Sequence, residues 1–143
     1  MGTERNKEVK ISLQQARDVA ALAVQERGED YVDEGMKRYY ANGKPSCLVG
    51  CILDYLGVDK TQFTSKMIGS SVMNEAKILS VLDVLQIETD GMTRDYLCAL
   101  QHGNDDDMSW GETVATAELV ILGENESFRK HANNYSLMPL EVL

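Results

Sequence analysis

The chain has 143 residues, a hydrophobic fraction of 43%, a charged fraction of 26% and a formal net charge of -9. Size and composition are those of one globular domain and exclude a disordered chain, and no apolar run approaches the roughly 18 residues of a membrane-spanning helix. The acidic charge argues against nucleic acid as a partner, because non-specific binding requires Lys and Arg at the phosphates. We expect a flexible N-terminus over residues 1–10, a single domain over residues 11–143, no membrane contact and, without the apolar stretch of a signal peptide, a cytoplasmic location.

The first predicted helix begins at a capping box. Ser12 is placed to accept the third backbone N–H of the helix, and the Gln15 side chain to reach back to the backbone of Ser12. Small apolar residues follow at spacings of three and four, and Gly28 supplies a left-handed stop. We expect a helix that ends at about Arg27 and whose alanine-rich face packs closely on a neighbour.

A small β-hairpin is predicted near residues 38–46. Asn42-Gly43 is a strong two-residue turn signal for such a hairpin. Pro45 has no N–H to donate to a strand partner, so the second strand must be short or lie at an edge.

The central helix of the predicted fold follows this hairpin. Residues 47–56 are apolar nearly all round, as in a helix that other helices enclose. We expect Ser46 to be its N-cap and Gly57 to end it. Gly50 in its interior predicts a neighbour that packs too closely for a side chain.

Capping residues and glycines predict the middle helices. A short helix follows Asp59 and ends before Gly69, and a longer, apolar one is capped by Asn74. A further helix starts at Thr93 and stops at Gly103.

The last predicted helix begins at a second capping box, formed by Ser109 and Glu112, and ends before Gly123. The remaining tail is less regular and includes one short helix around Phe128. Together these elements predict a mainly α fold, a compact bundle of about five helices with one small β-hairpin.

The negative charge is concentrated in the second half of the chain. Residues 1–66 hold ten basic and ten acidic side chains, whereas residues 67–143 hold four and thirteen. Between Asp83 and Glu126 there are eleven acidic residues and a single basic one, Arg94. The sequence thus predicts a negative surface, either a docking face for a basic partner or an ordinary solvated one.

Cys47 is the candidate nucleophile. It falls in the first turn of the central helix, where the helix dipole and free N–H groups lower the pKa of a thiol. A catalytic base would have to be His102 or His131, the two histidines of the chain. The alternative is that Cys47 is a buried core thiol, since cysteine is among the most buried residue types.

A metal site is a second possibility, although we predict neither metal nor cofactor. Cys47 and Cys51 lie four residues apart, as do Cys98 and His102, and two such pairs on separate helices could form a tetrahedral site. Against it, both pairs lie inside apolar helical patterns rather than on tight turns. The odd number of cysteines, without a secretory signal, predicts free thiols.

The run Asp105-Asp106-Asp107 lacks the alternating ligands and central Gly of a calcium-binding EF-hand. It forms either a solvated, capping turn or the centre of a partner-binding face. Trp110 stands at the first position of the next helix, beside this turn. Tryptophan is enriched in binding hot spots, but one in a first turn commonly packs under the preceding loop.

The chain resembles a group of small uncharacterised proteins of actinobacteria and actinobacteriophages. The resemblance is carried by Pro45-Ser46-Cys47-Leu48-Val49-Gly50 with Leu56-Gly57-Val58 after it, and by Asn104-Asp105 followed by Trp110-Gly111. In that group, a Cys-Leu-x-Gly helix is followed, some fifty residues on, by a Gln/Asn-Asp pair, a turn and a Trp-bearing helix. The similarity covers about residues 35–122.

This resemblance implies a source and a compartment rather than an activity. The similar proteins usually have Gly where this chain has Asp107, and often His where Cys51 stands, so no metal or catalytic role of Cys51 is carried over. Our hypothesis is a non-enzymatic, phage-encoded accessory or regulatory protein that binds a host protein through Asp105, Asp106, Asp107 and Trp110. The alternatives are a cysteine-dependent hydrolase or transferase that uses Cys47, and a structural metal-binding domain.

Overall fold

The computed structural model describes residues 9–33 and 37–135, with side chains up to residue 123. Within these residues the chain forms six α-helices and three pairs of two-residue strands. The helices are α1 (Leu13–Arg27), α2 (Leu48–Tyr55), α3 (Thr61–Ser65), α4 (Ile78–Leu85), α5 (Gly91–Asp105) and α6 (Trp110–Tyr135). The strands are β1 (Val9–Lys10), β2 (Tyr40–Ala41), β3 (Lys44–Pro45), β4 (Met67–Ile68), β5 (Ser71–Val72) and β6 (Ile87–Glu88). The predicted mainly α fold class is confirmed.

The predicted hairpin is present as the antiparallel pair β2–β3, and both turn residues, Asn42 and Gly43, have positive φ angles. Two further strand pairs were not predicted. One is a second hairpin, β4–β5, and the other is a parallel pair in which Val9 lies opposite Ile87. Assigning Val9 and Lys10 to a flexible N-terminus was therefore wrong, whereas residues 1–8 lie outside the described part of the chain.

Helix α1 has the predicted capping box and the predicted small-residue face. The Gln15 backbone N–H donates to Ser12 Oγ at 3.1 Å, and the Ser12 N–H donates to Gln15 Oε1 at 2.9 Å. Its alanine face is buried, with Ala16 and Ala20 fully enclosed. Helix α1 packs on three helices, α2, α5 and α6. The small side chains of α1 allow these helices to approach it closely.

Helix α2 is largely buried but not enclosed on every side. Leu48, Val49, Ile52 and Leu53 are fully buried, whereas Tyr55 at its end is 63% exposed. The prediction that Ser46 caps this helix was wrong. The N-cap is Cys47, whose Sγ accepts the Gly50 backbone N–H at 3.3 Å, while the Ser46 N–H donates to Tyr39.

The hairpin and α2 are in direct backbone contact at Gly50. A Cβ added to Gly50 would overlap with the carbonyl oxygen of Tyr39, which explains the glycine in this helix. Asn74, predicted as a helix cap, instead lies buried in a single 3₁₀ turn over Met73–Glu75. Its Oδ1 accepts the backbone N–H groups of Tyr39 and Tyr40 at 3.1 and 3.0 Å, so it fixes the hairpin rather than a helix.

Two glycines that were predicted to stop helices lie inside them. Helix α5 begins after Asp90, whose side chain accepts the Thr93 N–H at 2.7 Å, and it continues through Gly103. Gly103 allows close packing on Thr113 of α6, because a Cβ there would lie about 2.6 Å from a methyl group of Thr113. Helix α6 continues through Gly123, so the separate helix expected around Phe128 is part of α6.

Candidate functional site

The turn between α5 and α6 presents the three aspartates that were predicted to bind a partner. Asp105, Asp106 and Asp107 are all exposed. The backbone of the turn is fixed, since the Met108 N–H donates to Gly103 O at 3.0 Å and Asp107 adopts a left-handed conformation. We call these three residues the acidic turn.

Each carboxylate of the acidic turn has a cationic or ionisable neighbour. Asp107 is paired with Lys37, and Asp106 Oδ2 lies 3.2 Å from Nε2 of His102. Desolvation raises the pKa of Asp105, and the nearby ammonium groups of Lys77 and Lys37 partly offset this effect. The turn therefore combines strong negative charge with a surrounding set of positive groups.

The charge segregation seen along the sequence is partly cancelled in space. Acidic side chains of the second half pair with basic side chains of the first at 2.5 to 3.8 Å, in the pairs Glu88–Lys10, Glu118–Arg17 and Asp107–Lys37. The fully negative face expected over the second half is thus interrupted by Lys and Arg from the first.

Trp110 does not belong to this surface. It is fully buried, with its ring edge-on to Tyr31 at 4.9 Å and the Arg27 guanidinium 4.7 Å above it. Its backbone N–H donates to Tyr31 O at 2.8 Å. The prediction that Trp110 binds a partner was wrong, because it packs beneath the segment that follows α1.

Cys47 is a buried thiol without a basic partner in the described residues. Desolvation raises its pKa to about 12 and outweighs the Gly50 N–H, which favours the thiolate. His102 lies on the exposed side of α5, with 78% of its side chain accessible, and does not line the cavity that Cys47 borders. The side chain of His131, the other predicted base, lies outside the described residues.

The alternative of a four-ligand metal site does not form either. Cys98 and His102 lie together in a shallow groove between α5 and α6, whereas Cys47 is the N-cap of α2 and Cys51 lies within it. Among the side chains that the structure describes, no group of three or more His, Cys, Asp and Glu residues could hold a metal ion. No helix in this part of the chain is long and apolar enough to cross a membrane.

A polar cavity of about 280 Å³ lies beside the acidic turn. Three parts of the chain form it: the segment before the β2–β3 hairpin with the start of α2, the 3₁₀ turn, and the last part of α5. Their lining residues are Asp33, Lys37, Arg38, Tyr39, Cys47, Asn74, Glu75, Ala76, Lys77, Gln101, Asn104 and Asp105.

Hydrogen bonds fix much of this lining. The Tyr39 hydroxyl donates to Ala76 O at 2.6 Å and accepts from Gln101 Nε2 at 2.6 Å. Asn104 Oδ1 accepts the Leu48 N–H at 2.9 Å, so α5 caps the start of α2. The walls of the cavity are therefore preorganised by contacts within the protein.

Two buried polar atoms of the lining residues have no hydrogen-bond partner in the described part of the chain. Asp33 is 4% exposed and Asn104 is 2% exposed, yet Asp33 Oδ2 and Asn104 Nδ2 make no hydrogen bond to any described residue. Desolvation raises the pKa of Asp33, while the charges of Lys37 and Arg27 act in the opposite direction. Unpaired buried polar groups are rare in native proteins, and both residues line this cavity.

Comparison with protein-family models, with curated proteins and with solved structures finds no match for this chain.

No sequence signal points to this cavity as a unit. The pattern predicts Asn74 as a helix cap and Cys47 as either a core thiol or a nucleophile, and nothing in it singles out Asp33. The lining residues come from distant parts of the chain, and no short motif contains more than a few of them. Asn104 could have been noticed as a polar residue within an apolar helical pattern, since such residues often have a specific partner.

Proposed function

We propose that the protein is a non-enzymatic accessory or regulatory protein, phage-encoded, that binds a protein of its bacterial host through the acidic turn. The observation that carries the proposal is that Asp105, Asp106 and Asp107 are exposed on a turn with a fixed backbone. The C-terminal end of α5 adds the negative end of its dipole at the same place. Such a surface suits a partner that presents Lys or Arg.

A partner must displace the existing neighbours of the acidic turn. The Lys37 ammonium and the His102 ring already contact Asp107 and Asp106, so a basic partner competes with them, whereas Asp105 has only nearby lysines. Binding should therefore be moderate in strength and should weaken with ionic strength, because the pairs involved are solvent-exposed.

Binding is favoured over catalysis by the state of the thiol. Cys47 is buried, its pKa is raised, and His102 lies on the exposed side of α5. A cysteine nucleophile requires a thiolate with an adjacent base. Neither condition is met by the described residues.

A capture experiment with matched charge-reversal variants tests the proposal. The tagged protein is used as bait in an actinobacterial lysate, beside the double variants D105K/D106K and E26K/D54K. Both variants raise the net charge equally, but Glu26 and Asp54 are exposed on α1 and α2 instead of the acidic turn. We expect E26K/D54K to retain the specific partner and D105K/D106K to lose it.

The partner identified in this way should then bind in a purified system, with a dissociation constant that rises with salt concentration. Recovery of the same partner by D105K/D106K, or an affinity independent of salt, would contradict the proposal.

A further inference from the structure

The polar cavity beside the acidic turn has features of a ligand site that does not depend on partner binding at the protein surface. Its volume of about 280 Å³ is close to the lower end of small-molecule pockets and far larger than a single water molecule needs. Its walls are fixed by the hydrogen bonds of Tyr39 and Asn104. A small polar molecule therefore fits it better than a peptide segment or a large cofactor.

The two unpartnered atoms define the hydrogen bonds that a ligand must make. Asp33 Oδ2 is an acceptor and requires a donor, whereas Asn104 Nδ2 is a donor and requires an acceptor. Leaving either atom unpaired in a buried site costs stability, because the group has lost its hydrogen bonds to water. A ligand that satisfies both must carry a donor group and an acceptor group.

The charges around the cavity point to a ligand with both signs of charge. Three acidic and three basic side chains line it, namely Asp33, Glu75, Asp105, Lys37, Arg38 and Lys77. The carboxylates of the lining would repel a simple anion, and its ammonium and guanidinium groups would repel a simple cation. A zwitterion can place each charge beside its opposite.

We propose that this cavity binds a small zwitterion of the free α-amino-acid class. The ligand ammonium donates to Asp33 Oδ2, and the ligand carboxylate accepts from Asn104 Nδ2 with Lys77 close by. Cys47 and Ala76 supply apolar wall atoms, and the cavity volume restricts the ligand to a short side chain. The acidic turn contributes only Asp105, so the site can be tested without altering the surface proposed to bind a partner.

Binding is tested by NMR titration of the isotope-labelled full chain with L-alanine and L-serine. We expect saturable shifts of backbone amide signals around the cavity, including those of Cys47, Ala76 and Asn104. Methylamine and acetate, which carry only one of the two charges, should each bind at least tenfold more weakly. Equal binding of methylamine would make this a cation site, and equal binding of acetate an anion site; either result, or shifts that do not saturate, would overturn the proposal.

Three variants assign the contacts. We expect D33N to weaken L-alanine binding by about tenfold or more, the loss of one charge-assisted hydrogen bond. The matched control D54N removes an exposed carboxylate from α2 and should leave binding unchanged. Because Asp33 is buried and D33N could perturb the fold, K77Q provides a second test at an exposed residue. K77Q should weaken the binding of L-alanine severalfold and leave the residual binding of methylamine unchanged. If the affinity for L-alanine is unaltered in K77Q and in any folded D33N, the assignment is overturned.

Discussion

Asn104 near the end of α5 caps the first turn of α2, because its Oδ1 accepts the backbone N–H of Leu48 at 2.9 Å. The first N–H groups of a helix have no partner within the helix, and this one is buried away from water. A single side chain therefore links the strand-to-helix junction of the hairpin to the acidic turn.

Replacing Asn104 should destabilise the protein measurably. We expect Asn104→Ala to lower the free energy of unfolding by about 2 kcal/mol, since a buried N–H loses its acceptor. Asn104→Asp keeps an oxygen that can accept this hydrogen bond, so it should lower the free energy of unfolding by less than Asn104→Ala does. Urea denaturation followed by circular dichroism measures both. Gln25→Ala, at an exposed position of α1, is the control and should stay within about 0.5 kcal/mol of the wild type.

Adding a methyl group to Gly50 should be severely destabilising. The added Cβ would overlap with the Tyr39 carbonyl oxygen, and this oxygen also accepts the Ser46 N–H at 2.7 Å. We expect Gly50→Ala to lower the free energy of unfolding by about 3 kcal/mol, within the range for overpacked cores. Gly123→Ala meets no atom within 4 Å and should instead raise stability by up to about 1 kcal/mol. Equal effects in thermal melts of the two variants would show that the hairpin does not press on α2.

The three thiols should react at different rates. Cys47 is buried with a pKa raised to about 12, whereas Cys51 and Cys98 are half-buried; burial raises the pKa of Cys51 to about 11 and also raises that of Cys98. We expect iodoacetamide at mildly alkaline pH to modify Cys51 and Cys98 in the folded protein well before Cys47. Peptide mass spectrometry measures each site, and denatured protein, in which all three should react alike, is the control. Fast modification of Cys47 in the folded state would revive the cysteine-enzyme hypothesis.

The buried carboxyl of Asp33 should make stability depend on pH. Desolvation raises its pKa in the folded state, so as pH rises above the unfolded value the unfolded chain loses its proton first. The wild type should therefore lose stability relative to Asp33→Asn as pH rises from the unfolded pKa of Asp, about 3.9, to the raised pKa of the folded state. Above that range we expect the variant to be the more stable protein, because it does not bury a negative charge.

This comparison requires denaturation curves at several pH values for both proteins and for the control Asp54→Asn, which replaces an exposed carboxyl. A difference between wild type and Asp33→Asn that stays constant with pH would contradict the expectation.

Local sequence signals predicted much of the fold. The capping box at Ser12 and the Asn42-Gly43 turn depend on contacts within a few residues, and both are present as expected. Gly50 was correctly predicted to have a close neighbour, although the identity of that neighbour, the Tyr39 backbone, could not be deduced. Caps and turns of this kind are determined by residues close together in the sequence, so the sequence alone predicts them.

Features that depend on tertiary contacts were mispredicted. Gly103 and Gly123 resemble helix stops in sequence, but α5 and α6 continue through them. At Gly103 the close packing of α5 on Thr113 of α6 outweighs the cost of an internal glycine. Trp110 is predicted from sequence either as a binding hot spot or as packed under the preceding loop, and neither interpretation identified the segment after α1 that covers it. The cavity was missed for a similar reason, since Asp33 and Asn104 line one cavity only once the bundle has formed.

The parallel pairing of β1 with β6 has a consequence for the order of folding. Val9 is synthesised before its strand partner Ile87, which leaves the ribosome only after α1, α2, α3 and α4. The intervening chain must be gathered before the two strands can meet, which costs loop-closure entropy. The start of the described chain therefore becomes native only after Ile87 has been made, and a nascent chain without α5 and α6 leaves the part of α1 that packs on those two helices uncovered.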